Sequence, residues 1–299
     1  MIRPAATVVL VRETADDIEV LMMRRGERLA FLGGLWVFPG GRVEAVDRSP
    51  EALAVIPDQA RAAVGEVLET LDGRSLSPEH ALGHRVAACR ETFEEAGVLL
   101  ARDARGAACE PELVARLQPR RAEVVADPAA FVRMLAGEQL FLDVAPLVHW
   151  SHWITPSVEA RRFDTHFYVV PLPAGQAASA DMSELTEHAW MSPAAVGAAY
   201  ERGELRMVPP TLLTLEDLIG SHADHGNLGA LLAAERRRET PPIMPRVETR
   251  DDSWRVVMPW DTGYREIAGE GCPITEPLPP HLARLRSSVA LPRPRNAGA

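Results

Sequence analysis

The segment "SPEHALGHRVAACRETFEEAG", residues 77–97, constrains the fold more than any other. Ser77 is suited to a helix N-cap, Pro78 to the first helical position, where no N–H is needed, and Gly97 to a left-handed C-cap. The spacing predicts a helix between them. Val86, Cys89, Phe93 and Ala96 fall at i, i+3, i+7 and i+10, so one face is apolar and asks to be buried. Cys89 on that face reads as an inert buried thiol. Glu91, Glu94 and Glu95 lie three and four positions apart, opposite Phe93, and so crowd together. Like charges this close repel, at a cost that grows with burial. Such a face is either well solvated or built for a cation.

Mg²⁺ takes oxygen ligands and commonly binds through one or two carboxylates plus substrate phosphates. The cluster therefore fits a magnesium site acting on a phosphate ester or anhydride. Arg90 can hold one carboxylate in a fork-shaped ion pair.

The surrounding pattern is α+β. "AATVVLVR" and "IEVLMMRR" read as strands joined by a turn at "TADD", and "LWVFPGG" as a short strand ended by Pro39. "FDTHFYVVPL" and "EHAWM" are further strands, whereas "SPAAVGAAYERG", "TLLTLEDLIG" and "LGALLAAERRRE" are helices. No regular βαβ alternation appears, which points to a mixed sheet. We expect a main domain over 1–235 and a proline-rich extension over 236–299. The last 60 residues hold 10 of the 25 prolines. The aromatic and aliphatic residues around "SWRVVMPW" argue that this extension packs on the body or on a partner subunit instead of being disordered.

The net charge of -10 argues against a nucleic-acid or anionic-membrane partner. No apolar run approaches the ~20 residues of a membrane span. The three cysteines are too few and too scattered for a disulfide framework, so a reducing cytoplasm is the expected location. "HWSHW" and "HADH" each place two histidines three apart, at His149 and His152 and at His222 and His225. Neither has a cysteine or third histidine close by in sequence, which argues against zinc.

"RETFEEAGV", Arg90 to Val98, resembles the second half of the Nudix box, with Thr92 where that family prefers an aliphatic residue. "FPGGRVEAVD", Phe38 to Asp47, is similar to the first half, with Asp47 in place of the usual glutamate. Between Asp47 and Arg90 lie 42 residues where the family has seven, an insertion of 35, placed at about 48–82. An insertion here resembles the branch of peroxisomal coenzyme A diphosphatases and their bacterial relatives. "RLAFLGGLWVFPGG", "WITPSVEARRFDTHFYV" and "RMVPPTLLTLEDL" are similar to that branch too.

The resemblance implies a Nudix-type α/β/α sandwich with a mixed sheet. It implies metal-dependent hydrolysis of a diphosphate linkage, on coenzyme A or acyl-CoA, to 3′,5′-ADP and (acyl-)phosphopantetheine. ADP-ribose, NADH or a dinucleoside polyphosphate are the alternative substrates. A non-catalytic nucleotide-binding module is the alternative class, although such a module would be expected to lose some of the box acids. By the same resemblance Glu94, Glu95, Glu91 and the carbonyl of Gly40 are ligands of Mg²⁺ or Mn²⁺. Glu91 is alternatively the proton acceptor, and Arg90 orients it. A further acid comes from "SELTEHAW", with Glu184 preferred over Glu187. Arg24, Arg25, Arg28 and Arg162 (with Arg161 beside it) are candidates for the substrate's extra phosphate. The partner is a small nucleotide, and a homodimer is compatible with the sequence.

Overall fold

The run "AATVVLV" shows no alternation because both faces of its strand are covered. The computed structural model describes all residues except 1, 16, 30–31, 64–67, 180–184, 250–252 and 293–299. In it this run lies in β1 (Ile2–Glu13), inside an eight-stranded mixed sheet. The chain continues through β2 (Ile18–Arg25), β3 (Trp36–Val37) and β4 (Gly40–Arg42). Helices α1 (Pro50–Ala54), α2 (Asp58–Ala63) and α3 (Pro78–Ala96) follow. Next come β5 (Ala101–Arg102), then α4 (Pro111–Leu117), α5 (Arg121–Ala126) and α6 (Ala129–Gly137), then β6 (Phe141–Leu142). Strands β7 (Val148–Ile154), β8 (Arg162–Pro171) and β9 (Leu185–Met191) return to the main sheet. Helices α7 (Pro193–Glu201), α8 (Pro209–His225) and α9 (Leu228–Glu235) precede the C-terminal part. That part holds β10 (Pro242–Ile243), β11 (Arg246–Thr249), β12 (Ser253–Val257), α10 (Pro280–Ala283) and β13 (Ser288–Pro292).

The sheet runs β10-β7-β8-β1-β2-β3, with β4 added to β1 and β9 to β2. β1 is parallel to β8 and antiparallel to β2 and β4, so the sheet is mixed. Val8 and Leu10 face one way and pack with Val86, Cys89 and Phe93 of α3. Val9 and Val11 face the other way and pack with Val196, Leu212, Leu215 and Leu231 of α7–α9. The result is the α/β/α sandwich.

"LWVFPGG" differs from the single strand expected. Its first part pairs with β2, Trp36 opposite Arg24, and its last part pairs with β1, Gly40 opposite Thr7. The change of partner falls at Pro39, which has no N–H to give to a ladder. Its carbonyl accepts from Val8 N at 2.8 Å as the chain crosses over. The two glycines thus form a strand instead of ending one.

Among its described residues the insertion carries the short helices α1 and α2, and its last residues lengthen α3 at the N-terminus. Ala52, Ile56 and Leu68 of this segment are buried, and Leu142 N donates to Val55 O at 2.8 Å. The C-terminal part lies on the body. β10 joins the sheet beside β7, and Val256, Met258, Leu282 and Val289 enter the core under α8. Arg238 pairs with buried Asp217 at 2.6 Å and lies over the Trp150 ring at 4.1 Å.

Candidate functional site

The ends of α3 are set by the residues that cap them. Ser77 Oγ accepts from His80 N, and Gly97 takes φ 66°, the left-handed conformation open to glycine. Thr92 is fully buried at the position where an aliphatic residue was expected. It is tolerated because its hydroxyl donates to the Ala88 carbonyl at 2.7 Å.

Arg90 is the hub of the acidic side. Its Nε and Nη2 grip the two oxygens of Asp47, each at 2.9 Å, in a bidentate pair. Nη1 donates to Glu91 Oε1 at 2.8 Å and to Glu94 Oε1 at 2.7 Å. Nη2 also reaches the Arg42 carbonyl at 2.8 Å. One guanidinium thus fixes three carboxylates, two from the helix and one from across the insertion.

Glu95 is held separately: its Oε2 accepts from Gly40 N at 2.9 Å, across 55 positions of sequence. The two glycines are required by close approach. A Cβ on Gly40 would lie 2.8 Å from Thr7 Cα, and one on Gly41 would lie 2.6 Å from Glu91 Oε2. β4 is therefore pressed against both β1 and the acidic side of α3.

The charge balance is negative. Burial pushes the Glu91 carboxyl up to about 7, against the opposing pull of Arg90. Burial likewise raises Glu94, again against Arg90. Burial alone would lower the Arg90 guanidinium, but Asp47, Glu91 and Glu94 outweigh it and keep it protonated. Two carboxyls that resist ionisation beside a saturated arginine mark a place where one more positive charge is favoured.

The C-terminal end of α3 is tied down by residues that carried no signal in the sequence. Arg121 donates from Nη2 to the carbonyls of Glu94 and Glu95, both at 2.8 Å, and from Nη1 to Ser179 Oγ at 3.0 Å. Ser179 N donates to the Ala96 carbonyl at 2.8 Å. The backbone carrying the acids is thereby anchored from outside the helix.

The remaining candidates are dispersed. Glu184 lies outside the described residues. Glu187 is exposed on β9, 3.6 Å from Arg24 Nη1. Arg24 lines a cleft of about 300 Å³ with Trp36, Glu187 and Arg206, four residues up the chain from Gly40 at its Trp36 wall. Arg206 was not singled out in the sequence, though it opens the "RMVPPTLLTLEDL" segment. Arg25 is half-buried next to Arg24, and Arg28 is exposed. Arg162 is engaged by Glu270 at 2.9 Å and by the Thr155 carbonyl. It pairs with Ile2, five positions along β1 from the Thr7 partner of Gly40, or ~17 Å. The His222 and His225 pair converges on no third ligand among the described residues.

A family profile described as the NUDT19 Nudix domain matches residues 2–218. The chicken acyl-coenzyme A diphosphatase NUDT19 is 33% identical over 228 residues, covering 67% of this chain and 60% of that protein. The human acyl-coenzyme A diphosphatase NUDT19 is 30% identical over 222 residues, covering 66% of this chain and 59% of that protein. The aligned stretch thus spans about 60% of the length of these relatives. Among solved structures, a NUDIX hydrolase from Alicyclobacillus acidocaldarius superimposes with a TM-score of 0.57 at 27% identity, covering 74% of this chain and 92% of that one.

Proposed function

The chain belongs to the NUDT19 Nudix family, and from that premise we propose that it is a Mg²⁺- or Mn²⁺-dependent diphosphatase acting on coenzyme A or acyl-CoA. The products are 3′,5′-ADP and (acyl-)phosphopantetheine. The observation that carries the reading is the surplus of buried carboxylate around Arg90: Asp47, Glu91 and Glu94 share one guanidinium, with Glu95 alongside on Gly40. A non-catalytic module would have no use for that arrangement, which costs stability until a cation joins it.

The donor set fits a hard divalent ion, being all oxygen and short of positive charge. Glu94, Glu95 and the Gly40 carbonyl are the groups we assign to hold it, with Glu91 kept as the proton acceptor beside it. Once bound it supplies charge neutralisation at the diphosphate and a more acidic water. The chain's own residues do the rest. Glu91, with its carboxyl raised to about 7, has the proton affinity to accept a proton from the attacking water near neutral pH. Arg90 fixes the orientation of Glu91 and Glu94, and Asp47 fixes Arg90. The water oxygen bonds to one phosphorus while the bridging P–O bond breaks, and the leaving phosphate keeps the bridging oxygen. We keep Glu184 as the candidate for a further acid. Arg24, with Arg25 and Arg28 on the same stretch, is our candidate for recognising the substrate's extra phosphate, because Arg24 lines the cleft with Trp36.

Three unpaired cysteines support a reducing, cytoplasmic location, and the negative net charge supports the absence of a nucleic-acid partner. Among the described residues no helix is long and apolar enough to cross a membrane. A homodimer is the candidate assembly, to be read by light scattering.

The test is a panel of coenzyme A, acetyl-CoA, ADP-ribose, NADH and diadenosine polyphosphates with Mg²⁺, products identified by mass. Release of 3′,5′-ADP at the highest kcat/KM supports the proposal. Faster turnover of another compound reassigns the substrate. Binding without hydrolysis of any of them rejects the enzymatic reading.

A further inference from the structure

His152 of β7 and Asp164 and His166 of β8 converge on the α3 side of the sheet. One ring nitrogen from each histidine and one oxygen of Asp164 lie within 4.8 Å of one another. His152 Nε2 is 2.5 Å from Asp164 Oδ1, and His166 Nε2 is 3.9 Å from the same oxygen. In a tetrahedral zinc site, ligands at ~2.0–2.1 Å from the metal stand roughly 3.3 Å apart. The two separations here fall on either side of that value.

We propose that His152, Asp164 and His166 form a second metal site, distinct from the glutamate cluster, that takes Zn²⁺ or a similar first-row divalent ion through two imidazole nitrogens and one carboxylate oxygen. The spacing in "HWSHW" paired His152 with His149. The fold instead brings Asp164 and His166 from β8, which no local spacing could reveal.

Three further observations support the site. The rings of His152 and His166 stack at 4.1 Å and 18°, and both are buried, while Asp164 keeps a quarter of its side chain exposed. An ion there has a way in and a solvent-facing position for a fourth ligand. His166 Nδ1 is 2.9 Å from His149 Nε2, and His149 Nδ1 is 2.9 Å from Thr240 Oγ1. A chain of outer hydrogen bonds of this kind fixes the ring of a metal-binding histidine. Finally, among the described residues Asp164 has only the two histidines within ion-pair distance and no arginine or lysine, so its charge lacks a fixed cation.

The two sites differ in chemistry and place. The glutamate cluster is all oxygen and suits Mg²⁺, whereas imidazole suits zinc and its neighbours. His166 pairs with Ala6, and Ala6 pairs with Gly41, so the second site lies two strands, ~10 Å, from the Gly41 strand. A metal there would pin β7 to β8 and, through His149 and Thr240, the start of the C-terminal part.

The test uses the full chain carrying Glu94→Gln and Glu95→Gln, which removes the oxygen site as a competitor. After chelation and dialysis the protein is titrated with Zn²⁺ by calorimetry and with Co²⁺ by visible absorption. We expect one equivalent of each, with a cobalt band of the intensity of a four- or five-coordinate site that Zn²⁺ displaces. Adding Asp164→Asn or His166→Gln removes the band. Thr240→Val, an outer partner, weakens Zn²⁺ by about 10-fold. No stoichiometric Zn²⁺ or Co²⁺ binding by the Glu94→Gln, Glu95→Gln protein overturns the proposal, and so does binding that survives both ligand substitutions. The first measurement needs no substitution in the histidine cluster, so a misfolded ligand variant leaves the proposal decidable.

Discussion

Arg90 and Asp47 stand 43 positions apart and share two hydrogen bonds of 2.9 Å, with both side chains almost wholly buried. This pair closes the insertion into a loop whose two ends meet at the acidic side of α3. The segment between Asp47 and the start of α3 can vary in length at a modest entropic cost, since loop closure grows only logarithmically. The pair itself cannot vary, because Arg90 also sets Glu91 and Glu94.

Asp47→Ala should therefore act on both stability and activity. Removing one partner of a buried ion pair costs about 3 kcal/mol, and here Glu91 and Glu94 retain part of the arginine's compensation. Urea unfolding should show a loss of about that size, with kcat reduced far more than KM is raised. Asp47→Glu, the residue usual in the resembling box, should recover part of both. Full activity in Asp47→Ala would mean that Arg90 needs no anchor beyond the helix.

Glu94→Gln and Glu95→Gln should each nearly abolish turnover at saturating Mg²⁺ while leaving the fold intact. For Glu94 the sign of the stability change is also set. Burial raises its carboxyl, so the ionised form is disfavoured in the folded state. The metal-free Glu94→Gln protein at pH 8 should melt no lower than the parent, and Mg²⁺ should raise the melting temperature of the parent but much less that of the variant. Near-parental turnover in either variant removes these glutamates from the metal assignment.

What could be read from the chain follows the range of the interactions involved. Ser77, Pro78 and Gly97 act within a few residues, so the ends of α3 were legible. The acids repeat at helical spacing, so their shared face was legible too. Arg121 was not, because its partners are the carbonyls of Glu94 and Glu95, and a carbonyl carries no residue identity. β7 was hidden because "VHWSHWI" places histidines at buried positions, where His149 is satisfied by His166 and Thr240 and His152 Nε2 by Asp164. β4 was hidden because Gly40 and Gly41, which usually punctuate, are there to let strand and helix touch.

That contact yields a third prediction. Gly41→Ala places a methyl where the Glu91 carboxyl now lies, while the backbone at Gly41 does not need a glycine's left-handed conformation. The strain falls on Glu91, not on the chain path. Turnover should drop by at least 10-fold, because a displacement of about 1 Å of a catalytic group can cost 100-fold. Circular dichroism should be unchanged. Parental kcat in Gly41→Ala would show that Glu91 does not act from the position observed.

The C-terminal part carries a titratable group of its own. His281 of α10 is buried, and burial, with Arg238 and Arg284 adding to it, lowers its ring to about 3. The folded protein therefore refuses a proton that the unfolded chain accepts below about 6.5. Stability from this group is complete above pH 6.5 and is lost as pH falls from there toward 3, at ~1.4 kcal/mol per pH unit. His84, lowered to about 4 by burial, adds a second such slope. His281→Leu keeps an apolar contact and removes one titrating group, so the difference in unfolding free energy between pH 7 and pH 5 should shrink by about 2 kcal/mol. Denaturant titrations of parent and variant at the two pH values measure it, and an unchanged difference would show that His281 takes up no proton on unfolding.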